Sequence, residues 1–244
     1  MAISERSQTV IVWWALAFAG IYGIALVFCL HMVPPPGATK SAADIAGWYA
    51  ARATEIKVGA TVTAYCGAFA LPLWAVIAIQ ITRQEKGRPI WALIAALGGA
   101  LLSLMLVLPP LFWGVAAFSP DRSPEVTSLM HQLGVLTLVT PVQYNPFAFV
   151  PIIVVCFLPQ TAPRSPFPRW YGYFTAWAAL MFEAGPLAFD TRTGPFSWNG
   201  LLAFWSPVAL FGVWIGVTAY LLLTTLKLQR QDVEQLKAAG RRLG

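Results

Sequence analysis

The sequence predicts an all-α fold: an integral membrane bundle of about six transmembrane helices, with a short interfacial helix on its outer side. Three observations predict it. The 244 residues are 58% hydrophobic and 11% charged, with mean hydropathy +0.65, whereas soluble domains carry about a quarter charged residues. Several apolar stretches reach the roughly 20 residues that a helix needs to cross a hydrocarbon core about 30 Å thick. These stretches are apolar on nearly all sides and do not alternate, which fits lipid-embedded helices rather than barrel strands. Residues 1–244 read as one transmembrane domain without repeats.

The first span is expected over about 10–33, before Pro34, Pro35 and Pro36. It is longer than the apolar core of a signal peptide and no small-x-small site follows, so it is expected to remain as a signal anchor. Residues 41–55 open with Ser41 and Asp44 at capping-box spacing. Ile45, Trp48 and Tyr49 share a face, so this stretch reads as an interfacial helix with its rings at headgroup level. The alternative is a lid over an outward-facing cavity. The second span is expected over 56–82 and the third over 90–118. The third carries a stripe of small residues, Ala92, Ala95, Gly99 and Ser103, and then Pro109 and Pro110, which should kink its outer half. The fourth, 126–158, is interrupted near Pro141 and Pro146 and reads either as one kinked span or as a re-entrant break. The fifth is expected over 170–188 and the sixth over 201–228, with a helical, solvated tail beyond it. Gly212 and Gly216 form a G-x-x-x-G on the sixth. That spacing serves close helix packing, either within the bundle or against a second copy or another membrane protein.

Basic residues orient the bundle. With the N-terminus placed in the cytoplasm, eleven of the sixteen Lys and Arg residues fall in inner segments, and cytoplasmic loops are enriched in Lys and Arg. They are Arg6; Arg83, Lys86 and Arg88; Arg164 and Arg169; and Lys227, Arg230, Lys237, Arg241 and Arg242. Both termini are therefore expected in the cytoplasm. The net charge of +6 is mostly this topology signal. No zinc spacing, basic stripe or soluble recognition module points to nucleic acid.

Glu183 is the residue that asks for an explanation, because it sits in the apolar run MFEAGPLAF. It lies thirteen residues beyond Trp170, roughly 20 Å at 1.5 Å per residue. A charge at the centre of a bilayer costs about 2.5 kcal/mol or more, so such residues face the bundle and serve a purpose. Gly172, Ala176, Ala179 and Glu183 form one stripe, otherwise small, which is expected to pack on another helix. Pro186 cannot donate its amide and so leaves the carbonyl of Phe182 free beside the glutamate. The expected site is an outward-reaching cavity in which Glu183 and His131 are the catalytic candidates. Tyr144, Asn145, Asp190, Arg192, Trp198 and Asn199 are the binding candidates, with Trp198 anchoring the rim of the outer hairpin at the membrane interface. The plainer reading is that Glu183 and His131 join helices.

The chemistry this set supports is limited. Two distant histidines and no E-x-x-H pair make no metal centre. No haem, nucleotide or nucleophile-elbow motif is present, and no cofactor is expected. Cys29, Cys66 and Cys156 lie far apart in apolar stretches and read as packing residues. The leading functional reading is an accessory or scaffold protein of the membrane. A membrane-embedded enzyme or binding protein for a lipophilic small molecule is the first alternative, resting on the intramembrane carboxyl group. A proton-coupled transporter is the second, resting on the broken fourth span.

The stretches PPPG, WYAARATEIKVG, PRWYGYFTAWAALMF and TGPFSWNGLLAFW resemble those of a family of uncharacterised bacterial multi-span integral membrane proteins. The likeness runs along most of the chain and is most distinctive in the hairpin between the fifth and sixth spans. It implies a helical protein of the bacterial inner membrane, and brings no activity, cofactor or site residue. The family pattern has a less polar residue where Glu183 stands, so the resemblance implies no family-wide catalytic role for it.

Overall fold

The computed structural model describes residues 4–119 and 121–242, the last six by backbone only. Gly244, and the side chains of Lys237, Arg241 and Arg242 counted above, lie outside the described residues. Every long apolar stretch is helical, and no strand occurs among the described residues. Helix α1 (Glu5–Ile24) starts at Ser4, whose Oγ accepts from the Ser7 amide at 3.2 Å, and runs into a π-helical turn, Ala25–Cys29. Helix α2 (Ala42–Ala51) begins with the expected capping box. The Asp44 amide donates to Ser41 Oγ, and the Ser41 amide donates to the Asp44 carboxylate, each at 3.2 Å.

The second span is α3 (Ala53–Cys66) followed by α4 (Ala70–Thr82), and the third is α5 (Ile90–Leu102) followed by α6 (Leu104–Phe118). The third is interrupted at Ser103, whose hydroxyl donates back to the Gly99 carbonyl at 2.8 Å. Its small-residue stripe is buried, and a Cβ on Gly99 would stand 2.2 Å from the ring of Trp74. The absent side chain is what admits the indole.

The fourth span is α7 (Pro124–Val139) and α8 (Asn145–Phe157), joined by a 3-10 turn, Val142–Tyr144. Pro124–Phe157 is long and apolar enough to cross a membrane as one segment bent at the turn; midway along α7 His131 meets the Pro36 carbonyl, and past α8 Thr161 reaches Gln84. The expected fifth span is shorter than a full crossing helix. Helix α9 (Arg169–Phe182) covers fourteen residues, and a 3-10 turn, Gly185–Phe189, continues it. A π-helical turn, Leu201–Trp205, opens α10 (Ser206–Arg242), which extends past the expected end at 228 as a helical tail.

Five helical segments are long and apolar enough to cross a membrane: Glu5–Cys29, Ala53–Thr82, Ile90–Phe118, Pro124–Phe157 and Leu201–Leu236. The described chain still passes end to end six times. Alongside α8 and α7, the segment from Arg169 to Trp198 brings Gly172 against Cys156, Gly185 against Val139 and Trp198 against His131. One end of the bundle gathers Gln8, Gln80, Gln84, Arg164 and Gln229. The other gathers Pro36, Tyr49, His131 and Trp198. Each end holds an apolar cluster above or below these groups, one around Trp74, Phe149 and Trp214, the other around Trp113, Tyr49 and Phe204.

An apolar cavity as the candidate functional site

A cavity of about 310 Å³ lies inside the bundle, and its walls come from nearly every pass of the chain. Helix α1 supplies Ala19, Tyr22 and Gly23, and the π-helical turn after it supplies Leu26. Phe69 and the α5–α6 break supply a second wall. Val139, Asn145, Phe149 and Phe182 form the back, and Phe204, Val208, Phe211, Gly212 and Ile215 close the front. Only Tyr22 and Asn145 bring polar side-chain atoms to this lining. Tyr22 is engaged already. Pro110 has no amide to give to the carbonyl four residues back, at Leu106, and that carbonyl accepts the Tyr22 hydroxyl at 2.8 Å. Gly212 is the one lining residue that is exposed, so the cavity opens beside α10. The two π-helical turns among the described residues both flank this space, and each contributes to its wall through Leu26 or through Ala203 and Phe204. Such turns recur at functional sites because they re-aim side chains within a helix.

Asn145 is the remaining polar group. It is the first residue of α8, next to the kink, and is 3% exposed. Its Nδ2 donates to Glu183 Oε1 at 3.2 Å, and it makes no other side-chain hydrogen bond among the described residues. The approach of α9 to the kink depends on Gly185, where a Cβ would fall 1.8 Å from the Val139 carbonyl oxygen. Glu183 is exposed and does not line the cavity. The buried face of α9 carries Tyr171, Thr175, Ala178 and Phe182. The stripe from Gly172 through Ala176 and Ala179 instead drifts outward from buried to exposed. An offset of one residue turns a helical stripe by about 100°, which carries Glu183 to the shoulder of the packed face.

The structure therefore joins Asn145 to Glu183 and sets His131 in another place. His131 is fully buried midway along α7, away from the kink. Its Nδ1 accepts from the Tyr49 hydroxyl at 3.1 Å, and its Nε2 donates to the Pro36 carbonyl at 3.4 Å. Trp198 Nε1 donates to the same carbonyl at 2.9 Å. The expectation of Trp198 as an exposed rim anchor meets an indole that is 8% exposed and packed edge-on to His131. Its N–H has a carbonyl to bond inside the fold. Helix α2 lies over this cluster through Ile45 and Tyr49, while Trp48 stays partly exposed beneath the Arg52 guanidinium, 5.0 Å from the ring centre. Burial pushes the Tyr49 phenol up from its ordinary pKa, and the Ser41 hydrogen bonds hold the Asp44 carboxyl below the ordinary carboxylate value. Tyr144 is half-buried against the main core. Asp190 and Arg192 are exposed and form no ion pair among the described residues. Asn199 accepts from Ser197 Oγ at 3.1 Å. Gly212 and Gly216 have open space where a Cβ would stand, so they do not serve packing within this chain.

Sequence reasoning missed a buried glutamine clasp. Gln80 Nε2 donates to Gln8 Oε1 at 2.8 Å, while Gln229 Nε2 donates to Gln80 Oε1 at 3.0 Å and to the Arg164 carbonyl at 2.8 Å. Three glutamines, Gln8, Gln80 and Gln229, near the ends of three expected spans were the available signal, because uncharged amides can be buried there if they pair. Among the described residues no group of three His, Cys, Asp or Glu side chains could hold a metal ion. No family model, curated protein or solved structure matches the chain.

Proposed function

We propose that this chain is an integral protein of a bacterial inner membrane, with both termini cytoplasmic, that binds a lipophilic small molecule in the cavity between α1 and α10. The observation that carries the reading is the cavity itself, about 310 Å³, lined almost wholly by apolar side chains and open at Gly212. Small-molecule sites have this makeup: an apolar hollow with few polar groups. The surface around the opening is apolar too, with Ile21, Ile24 and Val213 exposed, so the mouth belongs to the hydrocarbon zone and the ligand arrives from the bilayer. The termini follow from the clustering of Arg6, Arg83, Lys86, Arg88, Arg164 and Arg169 in the segments near the glutamine clasp. General acid–base chemistry is not part of the reading, because both His131 nitrogens are engaged and Glu183 pairs with Asn145.

A diazirine-bearing dodecanol, activated in native membranes and mapped by mass spectrometry, tests this. Adducts are expected on Phe149, Phe182 and Ile215. Gly212→Leu should cut them several-fold by filling the mouth, and the open space at that Cβ lets the variant fold. Gly216→Leu, one turn along and outside the lining, should leave them unchanged. Adducts only on outward residues such as Trp13 and Tyr220, or equal effects of the two substitutions, would overturn the reading.

A further inference from the structure

The chemical class of the ligand follows from the Asn145–Glu183 pair, taking as given that the cavity is a binding site. A primary amide presents a donor end and an acceptor end. A carboxyl oxygen that holds no proton can only accept, and Glu183 Oε1 accepts from the Asn145 nitrogen at 3.2 Å, which sets the way the amide is turned. What remains is the carbonyl, Oδ1. It has no hydrogen-bond partner among the described residues, on a side chain 97% buried that lines the cavity. It is also not among the sealed, partnerless polar atoms, of which Trp113 Nε1 is the one described case. Oδ1 therefore faces space that another molecule can reach. A buried acceptor left unsatisfied costs free energy, and the other polar side chain of the wall, Tyr22, already has its proton on Leu106.

We propose that the ligand is a lipophilic alcohol: an apolar body of roughly a dozen carbon atoms, set by the cavity volume at the packing density of protein interiors, carrying one hydroxyl that donates to Asn145 Oδ1. An ammonium donor is excluded by the cost of bringing a charge into an apolar hollow. Glu183 is in this account a positioning residue. It sits in the apolar run to hold the amide in the acceptor-inward orientation, and it does so from outside the cavity. The kink at residues 140–144 delivers Asn145 to the inside, and Gly185 brings Glu183 within reach of it.

The experiment is competition against photolabelling of the cavity by the diazirine-bearing dodecanol, using 1-dodecanol, 2-dodecanone and dodecane as competitors. The wild type should be protected by 1-dodecanol at about fivefold to tenfold lower membrane concentration than by the other two, the size of one net hydrogen bond. Asn145→Leu, which keeps the branched shape of the side chain, should erase that advantage while dodecane competes as before; Asn145→Ala is the second variant if the first fails to fold. Glu183→Gln is the test of positioning. A glutamine can accept from the Asn145 nitrogen or donate to its oxygen, so both amide orientations become available and the gap between alcohol and ketone should narrow without loss of labelling. A merely structural Glu183 would leave the ratio untouched. Equal protection by all three competitors in the wild type, or preference for the ketone, overturns the proposal while leaving cavity binding intact. Absence of any competable cavity labelling overturns both.

Discussion

At the residue scale, single side chains in this protein act by completing or withholding one hydrogen bond. Tyr22 and Pro110 form such a pair across α1 and α6. Tyr22→Phe should cost about 1 kcal/mol, the net worth of one buried hydrogen bond, and more if the carbonyl is left bare. In a Pro110→Ala background the new amide at 110 can satisfy Leu106 itself, so the same Tyr22→Phe change should then cost about half as much. A thermodynamic cycle on the purified protein measures the coupling, and equal costs in both backgrounds would remove the link. Gln80→Leu should be more damaging, because it removes buried hydrogen bonds to both Gln8 and Gln229, each worth about 0.5–1.5 kcal/mol. Glu183 shows how far the sequence could be read at this scale. Its anomaly was legible, and Asn145 was already among the candidates. Its partnership with Asn145 in place of His131 was not, because it depends on a kink whose direction no spacing encodes.

At the element scale, the small helix α2 and the interrupted spans carry the interest. Ser41→Ala removes the side-chain half of the capping box and should destabilise α2 by about 1 kcal/mol, seen as faster amide exchange from 42 to 51 with α5 and α8 unchanged. The acid response has the same origin. Hydrogen bonding from Ser41 lowers the Asp44 carboxyl in the folded state. Its contribution is therefore fully present above the ordinary carboxylate value and is lost as pH falls through the lowered one. Exchange in α2 should rise over that acid window, and Ser41→Ala should weaken the dependence. The sequence made α2 legible through its cap and its apolar face. It left open what the face would meet, and the answer was the bundle end: Tyr49 found His131 there. Where each span would break was legible at Pro141 and Pro146. It was illegible at Ser103, whose hydroxyl bonds back to Gly99 within the helix.

At the scale of the whole molecule, composition and hydropathy made the helical membrane bundle readable, since apolar stretches of that length have few other stable arrangements. The pairing of passes was not readable, since it rests on complementary shapes such as Trp74 over Gly99. Cavities are least readable of all. They are what remains when the side chains of facing passes do not fill the space between them, and no local pattern marks that shortfall. The most direct test of the central claim is an experimental structure of the wild-type protein in lipid nanodiscs formed in the presence of 1-dodecanol. Elongated density is expected between Phe149, Phe182 and Ile215, with its polar end at Asn145 and its tail toward Gly212. A cavity closed by repacked side chains, or an open one holding no density while the lipid belt is well ordered, would contradict it.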